Sequence, residues 1–248
     1  MKQYDFNSKD IVFDYGQIHE DWCFCIELTP CNRYAITCCT GGYMKQWDIK
    51  NHKLYHNWGN VHDNWIECCV IDPLRGSFVF TGSGSGILKK WNIDEKTLQK
   101  DFGDVHSVGI NRLAISPNGT VLLTADLYGT INQWNIYDDT LQKTYKNAHS
   151  STIWSIVISP CSNYAFTGGE DMCLKQWNLK ESCLSFDFGC VHNAAIISMC
   201  VTPCGTLLFT SGEDETIKQW DIVERIELID YNVNEDIRCM KVSPSGTN

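Results

Sequence analysis

Short apolar runs closed by turn residues recur along the whole chain. In the stretch 149–188, Ile153 to Ser159 reads as one strand and Pro160–Asn163 as the turn after it. Tyr164 to Thr167 is a second run, closed by Gly168–Asp171. Cys173 to Leu179 is a third, and Leu184 to Phe188 a fourth. Strand-like runs between turn residues at regular spacing predict an all-β array of four-stranded units. The same pattern predicts units at about 19–58, 62–102, 106–145, 149–188 and 192–231, with a partial sixth at 236–248.

Three markers keep this register. Histidines stand at His19, His62, His106, His149 and His192, 43 or 44 residues apart. A proline follows each by 11 residues (Pro30, Pro73, Pro117, Pro160, Pro203), and tryptophans repeat at Trp47, Trp91, Trp134, Trp177 and Trp220. A period of this length marks a repeat architecture. A four-stranded sheet with apolar residues on both faces is not stable alone, and stacking such sheets buries both faces while leaving short edges.

The runs Thr167-Gly-Gly-Glu-Asp-Met-Cys-Leu-Lys-Gln-Trp177-Asn and Thr210-Ser-Gly-Glu-Asp-Glu-Thr-Ile-Lys-Gln-Trp220-Asp resemble the signature of the WD-repeat family. The resemblance extends from about Val12 to Gly246 and implies a WD-repeat β-propeller of five full blades, a partial N-terminal strand and a truncated sixth blade. It implies a scaffold and not a reaction. In the family, a histidine, a Ser/Thr, a turn Asp and the Trp form a hydrogen-bonded tetrad. This chain matches it fully twice, at His149–Thr167–Asp171–Trp177 and His192–Thr210–Asp214–Trp220. The first three units keep His, Thr and Trp, but Gly41, Ser85 and Tyr128 hold the Asp position. Each missing carboxylate forgoes roughly 1–3 kcal/mol, so looser turns are expected there. Gln46, Lys90, Gln133, Gln176 and Gln219, just before the tryptophans, are polar where the family is usually apolar, and their partners are not evident from sequence.

The ends differ. Ile11 to His19 matches the fourth strand of other units, as a closing N-terminal strand would. Ile237 to Ser243 reads as a sixth first strand and 244–248 as its turn. The whole protein is therefore expected to run to six or seven blades, the alternatives being an open arc or one completed by a partner chain.

Composition narrows the function classes. A net charge of −10, with 20 Lys and Arg against 30 Asp and Glu, argues against nucleic acid and anionic membranes. No apolar stretch suits a signal peptide or a spanning helix, so a cytoplasmic or other intracellular location is expected, the nucleus included. The 14 cysteines include no Cys-x-x-Cys, and reduced structural thiols are expected rather than disulfides or zinc sites. His52 and His56 have no companion ligand, and Gly82-Ser-Gly-Ser-Gly86 lacks the Lys-Ser/Thr of a phosphate loop. No catalytic residue, metal, cofactor or small-molecule substrate is expected.

Tryptophan carries the functional lead. The resemblance places three positions on the partner-binding face: three and five residues beyond each histidine, and the one before the Asp slot. They hold Trp22 and Trp65, then Phe24, Glu67 and Trp154, then Glu170 and Glu213. Aromatics with carboxylates suit a protein or peptide partner, a basic one fitting the charge. The alternative is that these rings pack against neighbouring blades. Two other functional readings stay open: a reader of basic or methylated-lysine peptides, and the interaction domain of a longer enzyme or ubiquitin-ligase subunit.

Overall fold

The computed structural model describes residues 1–5, 8–235 and 237–243. It divides into two compact units, Met1–Ser107 and Val108–Asn248. In the first unit, β1 (Lys2–Tyr4) and β2 (Ile11–Asp14) form a two-stranded sheet. Two four-stranded sheets follow. One is β3 (Cys23–Leu28), β4 (Tyr34–Cys39), β5 (Tyr43–Asp48) and β6 (Lys53–Asn60). The other is β7 (Ile66–Ile71), β8 (Phe78–Ser83), β9 (Ile87–Asn92) and β10 (Thr97–Asp104).

The second unit holds three more sheets. The first is β11 (Ile110–Ile115), β12 (Val121–Asp126), β13 (Ile131–Asn135) and β14 (Thr140–Tyr145). The next is β15 (Ile153–Ile158), β16 (Tyr164–Gly169), β17 (Cys173–Asn178) and β18 (Cys183–Cys190). The last is β19 (Ile196–Val201), β20 (Leu207–Gly212), β21 (Thr216–Asp221) and β22 (Ile226–Asn232). In all five, strands pair with their sequence neighbours and every pair is antiparallel. These five sheets are the four-stranded blade units that the repeat predicts, and we number them first to fifth.

Within each unit, stacked blades bury one another's flanks. Ile36, Met44, Ile66, Val79 and Trp91 share one core between the first and second blades. Leu123, Ile131, Ile153 and Trp177 join the third and fourth, and Phe166, Leu174, Ile196, Leu208 and Trp220 join the fourth and fifth. Each such side chain contributes about 1.5–3 kcal/mol on burial, which is why a blade of this composition needs a neighbour.

Two expectations at the ends need revision. Ile11–Asp14 is a strand, but its partner is Lys2–Tyr4, close in sequence. Residues 237–243 carry no strand. Met240 N–H donates to Ser198 Oγ at 2.9 Å, and Cys239 to Val242 line a groove with Phe209, Ile217 and Tyr231. The segment lies against the fifth blade, yet among the described residues no strand continues a ladder beside it, and a ladder needs a paired neighbour. The expected turn at 244–248 falls outside the described residues.

Candidate functional site

In four blades one threonine ties histidine to tryptophan, and in the third Trp134 Nε1–H donates to Thr124 Oγ1 at 3.3 Å. Trp177 Nε1–H donates to Thr167 Oγ1 at 2.8 Å, and Thr167 Oγ1 stands 2.7 Å from His149 Nε2. With the indole as donor, the hydroxyl gives its own proton to Nε2, so His149 carries its proton on Nδ1. Asp171 accepts it at 2.9 and 3.0 Å. Burial works against the Asp171 carboxylate, but bonds from His149, Ser150 N–H and Cys173 N–H hold its carboxyl below the usual value. The fifth blade repeats this: His192–Thr210 at 2.7 Å, Trp220–Thr210 at 3.1 Å and His192–Asp214 at 3.0 Å. Desolvation lowers the His192 pKa, opposed by Asp214.

The three blades without aspartate in the slot are not alike. In the first, the Asp21 carboxylate occupies the space a side chain at Gly41 would take, and its charge favours the protonated His19 ring. The net His19 pKa is still lowered, chiefly by desolvation and by Lys45. In the third, Asp126 is buried two residues ahead of Tyr128 and caps the turn, accepting from Tyr128 N–H at 2.9 Å and Thr130 N–H at 2.8 Å. Only the second blade is bare in the sense expected. There Ser85 bonds to Ser83, and the buried His62 Nδ1 has no partner. Desolvation, aided by Lys89, drops the His62 pKa to about 4. A carboxylate from another chain position thus stands at the turn of the first and third blades, within the slot space at Gly41 in the first and on the turn's backbone N–H groups in the third.

The glutamines ahead of the tryptophans find partners where the fourth strand offers one. Tyr145 OH donates to Gln133 Oε1 at 2.6 Å, and Gln133 Nε2 donates to Leu179 O at 2.8 Å. In the fourth blade the residue matching Tyr145 is Phe188, which has no hydroxyl, and Gln176 Oε1 stays unpartnered. Lys90 lies over the rings of Phe78 and Phe80, at 4.8 and 5.5 Å.

The candidate binding positions are set by two repeated backbone features. The first strand of every blade has a bulge, and the extra residue is Phe24, Glu67, Asn111, Trp154 or Ile197. A bulge leaves one residue outside the ladder and re-aims its side chain. A hydrogen bond then links the other two positions: Thr40 N–H to Trp22 O, Gly84 N–H to Trp65 O, Leu127 N–H to Gly109 O, Glu170 N–H to Thr152 O and Glu213 N–H to Ala195 O, at 2.9–3.2 Å. In each blade the three positions are therefore held together.

Their exposure differs by unit. Trp22 is 78% exposed, Phe24 47% and Trp65 44%. The Trp65 ring lies over Gly84, where any side chain would collide with it. Glu67 is half-buried. In the second unit Glu170 and Glu213 are exposed, and Glu170 accepts from Ser151 Oγ at 2.9 Å. Trp154 is half-buried under Arg112, whose guanidinium stands 5.8 Å from its ring and whose Nε donates to Trp154 O at 2.6 Å. Trp154 already has a cation of its own.

Sequence spacing missed one grouping. Cys25, Cys38 and Cys69 come from three strands of two blades and converge, their sulfurs all within 4.8 Å of one another. A search for Cys-x-x-Cys cannot find ligands that neighbouring sheets bring together. His52 and His56 make separate ring contacts: His52 stacks on Phe13 and His56 meets Trp58 edge-on.

Comparison with known proteins agrees with this geometry. The family model described as WD domain, G-beta repeat matches residues 97–135, 139–178 and 183–221. Each matched segment starts on the fourth strand of one blade and ends on the third strand of the next, one strand out of step with the sheets. No curated protein matches the chain.

Proposed function

We propose that this chain, which belongs to the WD-repeat family, is a non-catalytic scaffold that binds a protein or peptide through Trp22, Trp65 and the bulge residue Phe24. The exposure of Trp22 carries this reading. An indole that open to water gains most from a partner that covers it, and tryptophan is enriched among residues that dominate binding. Glu20, Asp21 and Asp63 are exposed beside the two tryptophans in sequence, which favours a basic partner. Trp154, with Arg112 on its ring, contributes less.

Affinity capture with the wild-type chain, a Trp22→Ala/Trp65→Ala chain and a Trp154→Ala chain tests this. Truncating a dominant tryptophan costs about 2 kcal/mol or more, roughly 30-fold in affinity. Partners should be lost from the double variant and kept by Trp154→Ala. Identical partner lists for all three chains would reject the site. Titration with lysine peptides, methylated and unmethylated, separates a modified-lysine reader from general scaffolding.

A further inference from the structure

The meeting of Cys25, Cys38 and Cys69 is not dictated by the repeat. Cys25 lies on β3, Cys38 on β4 and Cys69 on β7. The matching positions are Arg112, Ala125 and Ile156 between the third and fourth blades, and Ser155, Gly168 and Met199 between the fourth and fifth. Neither of those stackings places a thiol there. At the first, all three positions are cysteine, and Cys25 Sγ stands 2.9 Å from Cys69 Sγ. Cys38 and Cys69 are buried beside the apolar core of Ile36, Met44 and Ile66. Cys25 is half-buried and packs against the same core.

The chemistry suits a soft ion. Metal–thiolate bonds of ~2.3 Å set sulfurs roughly 3.8–4 Å apart around one ion; the three sulfurs lie within 4.8 Å of one another and Cys25 and Cys69 stand at 2.9 Å, so an ion needs that pair to spread by about 1 Å. Soft thiolates select Cu(I) and Zn(II) over hard cations. Among the described residues no fourth His, Cys, Asp or Glu joins the set. Three sulfurs complete a trigonal Cu(I) site, and would leave Zn(II) one position for water.

We propose that Cys25, Cys38 and Cys69 form a three-thiolate site for a thiophilic d10 metal ion that staples the first blade to the second. Binding forms three metal–sulfur bonds and releases the thiol protons to solvent, with no electron transferred.

The test titrates the reduced, metal-free full chain with Cu(I), and separately with Zn(II), against a competing chelator without oxygen. One equivalent of at least one ion should bind per chain, and the two arms identify which. The bound ion should block alkylation of Cys25 and Cys69 in peptide maps while the exposed Cys204 stays reactive. Cys25→Ala should lose that equivalent and Cys204→Ala should keep it. Absence of binding by the wild-type chain, unchanged uptake by Cys25→Ala, undiminished Cys25 alkylation in the loaded wild-type chain, or a Cys25–Cys69 disulfide in protein kept under reductant would each overturn the site. The alkylation arm reads the wild-type chain, so misfolding of a variant cannot mask the result.

Discussion

In the fourth blade His149 donates its Nδ1–H to Asp171; in the second, the same atom of His62 meets nothing and Ser85 stands in the slot. The rest of the two arrangements barely differs. His62 lies 2.7 Å from Thr81 and Trp91 donates to Thr81 at 3.0 Å, against 2.7 and 2.8 Å in the fourth blade. The His–Thr–Trp core therefore assembles without the carboxylate. The aspartate adds two things: it anchors the turn through backbone N–H groups, and it supplies an acceptor for a ring proton that burial would otherwise strand.

The largest effect should come from the shared core. Thr167→Val and Thr81→Val each strand an indole N–H and an imidazole nitrogen, about 1–3 kcal/mol per group. Urea denaturation should show similar losses of ~2–6 kcal/mol. A clearly smaller loss for Thr81→Val would mean that the core depends on the carboxylate after all.

Acid should separate the blades next. Burial holds the folded His62 pKa at about 4, below the ordinary imidazole value of 6.5. Its contribution to stability is complete above about pH 6.5 and is lost as pH falls toward 4, on the order of 3 kcal/mol in total. Denaturation at a series of pH values, with His62 followed by NMR, checks this. A His62 titration near 6.5 in the folded chain would contradict it.

Exchanging the slot residue reads the difference directly. Asp171→Ala should cost about 1.5–3 kcal/mol, the range for a hydrogen bond to a charged group. The reciprocal Ser85→Asp should add about 1 kcal/mol and move the His62 titration upward. A Ser85→Asp chain with unchanged His62 titration would show that the second blade cannot seat a carboxylate. The smallest expected change is Phe188→Tyr, which offers Gln176 Oε1 the hydroxyl that Gln133 receives from Tyr145, worth ~0.5–1.5 kcal/mol. No gain in thermal midpoint would place that hydroxyl out of reach.

Much of the fold was readable because it rests on local rules. Strand period, turn residues and the His–Pro–Trp register place five blades, and the fourth strands reach Asn60, Asp104, Tyr145, Cys190 and Asn232, at most two residues beyond expectation. Residues 237–243 show the limit of that rule: an apolar run becomes a strand only when another backbone pairs with it. The candidate face was partly legible. Position numbers picked out Trp22, Trp65 and Trp154, but not that Arg112 covers the last while the first stands open.

By itself the sequence determined the repeat, the five four-stranded units and the threonine that receives the indole of each tryptophan, since all of these lie within one period of about 43 residues. Only the tertiary structure decided what crosses between strands and blades. It brought the Asp21 carboxylate to Gly41, set Tyr145 against Gln133, and joined three cysteines 13 and 31 residues apart. The reason is physical: a hydrogen bond or a metal ligand set depends on separation in space, and stacked sheets make neighbours of residues whose order along the chain holds no record of it.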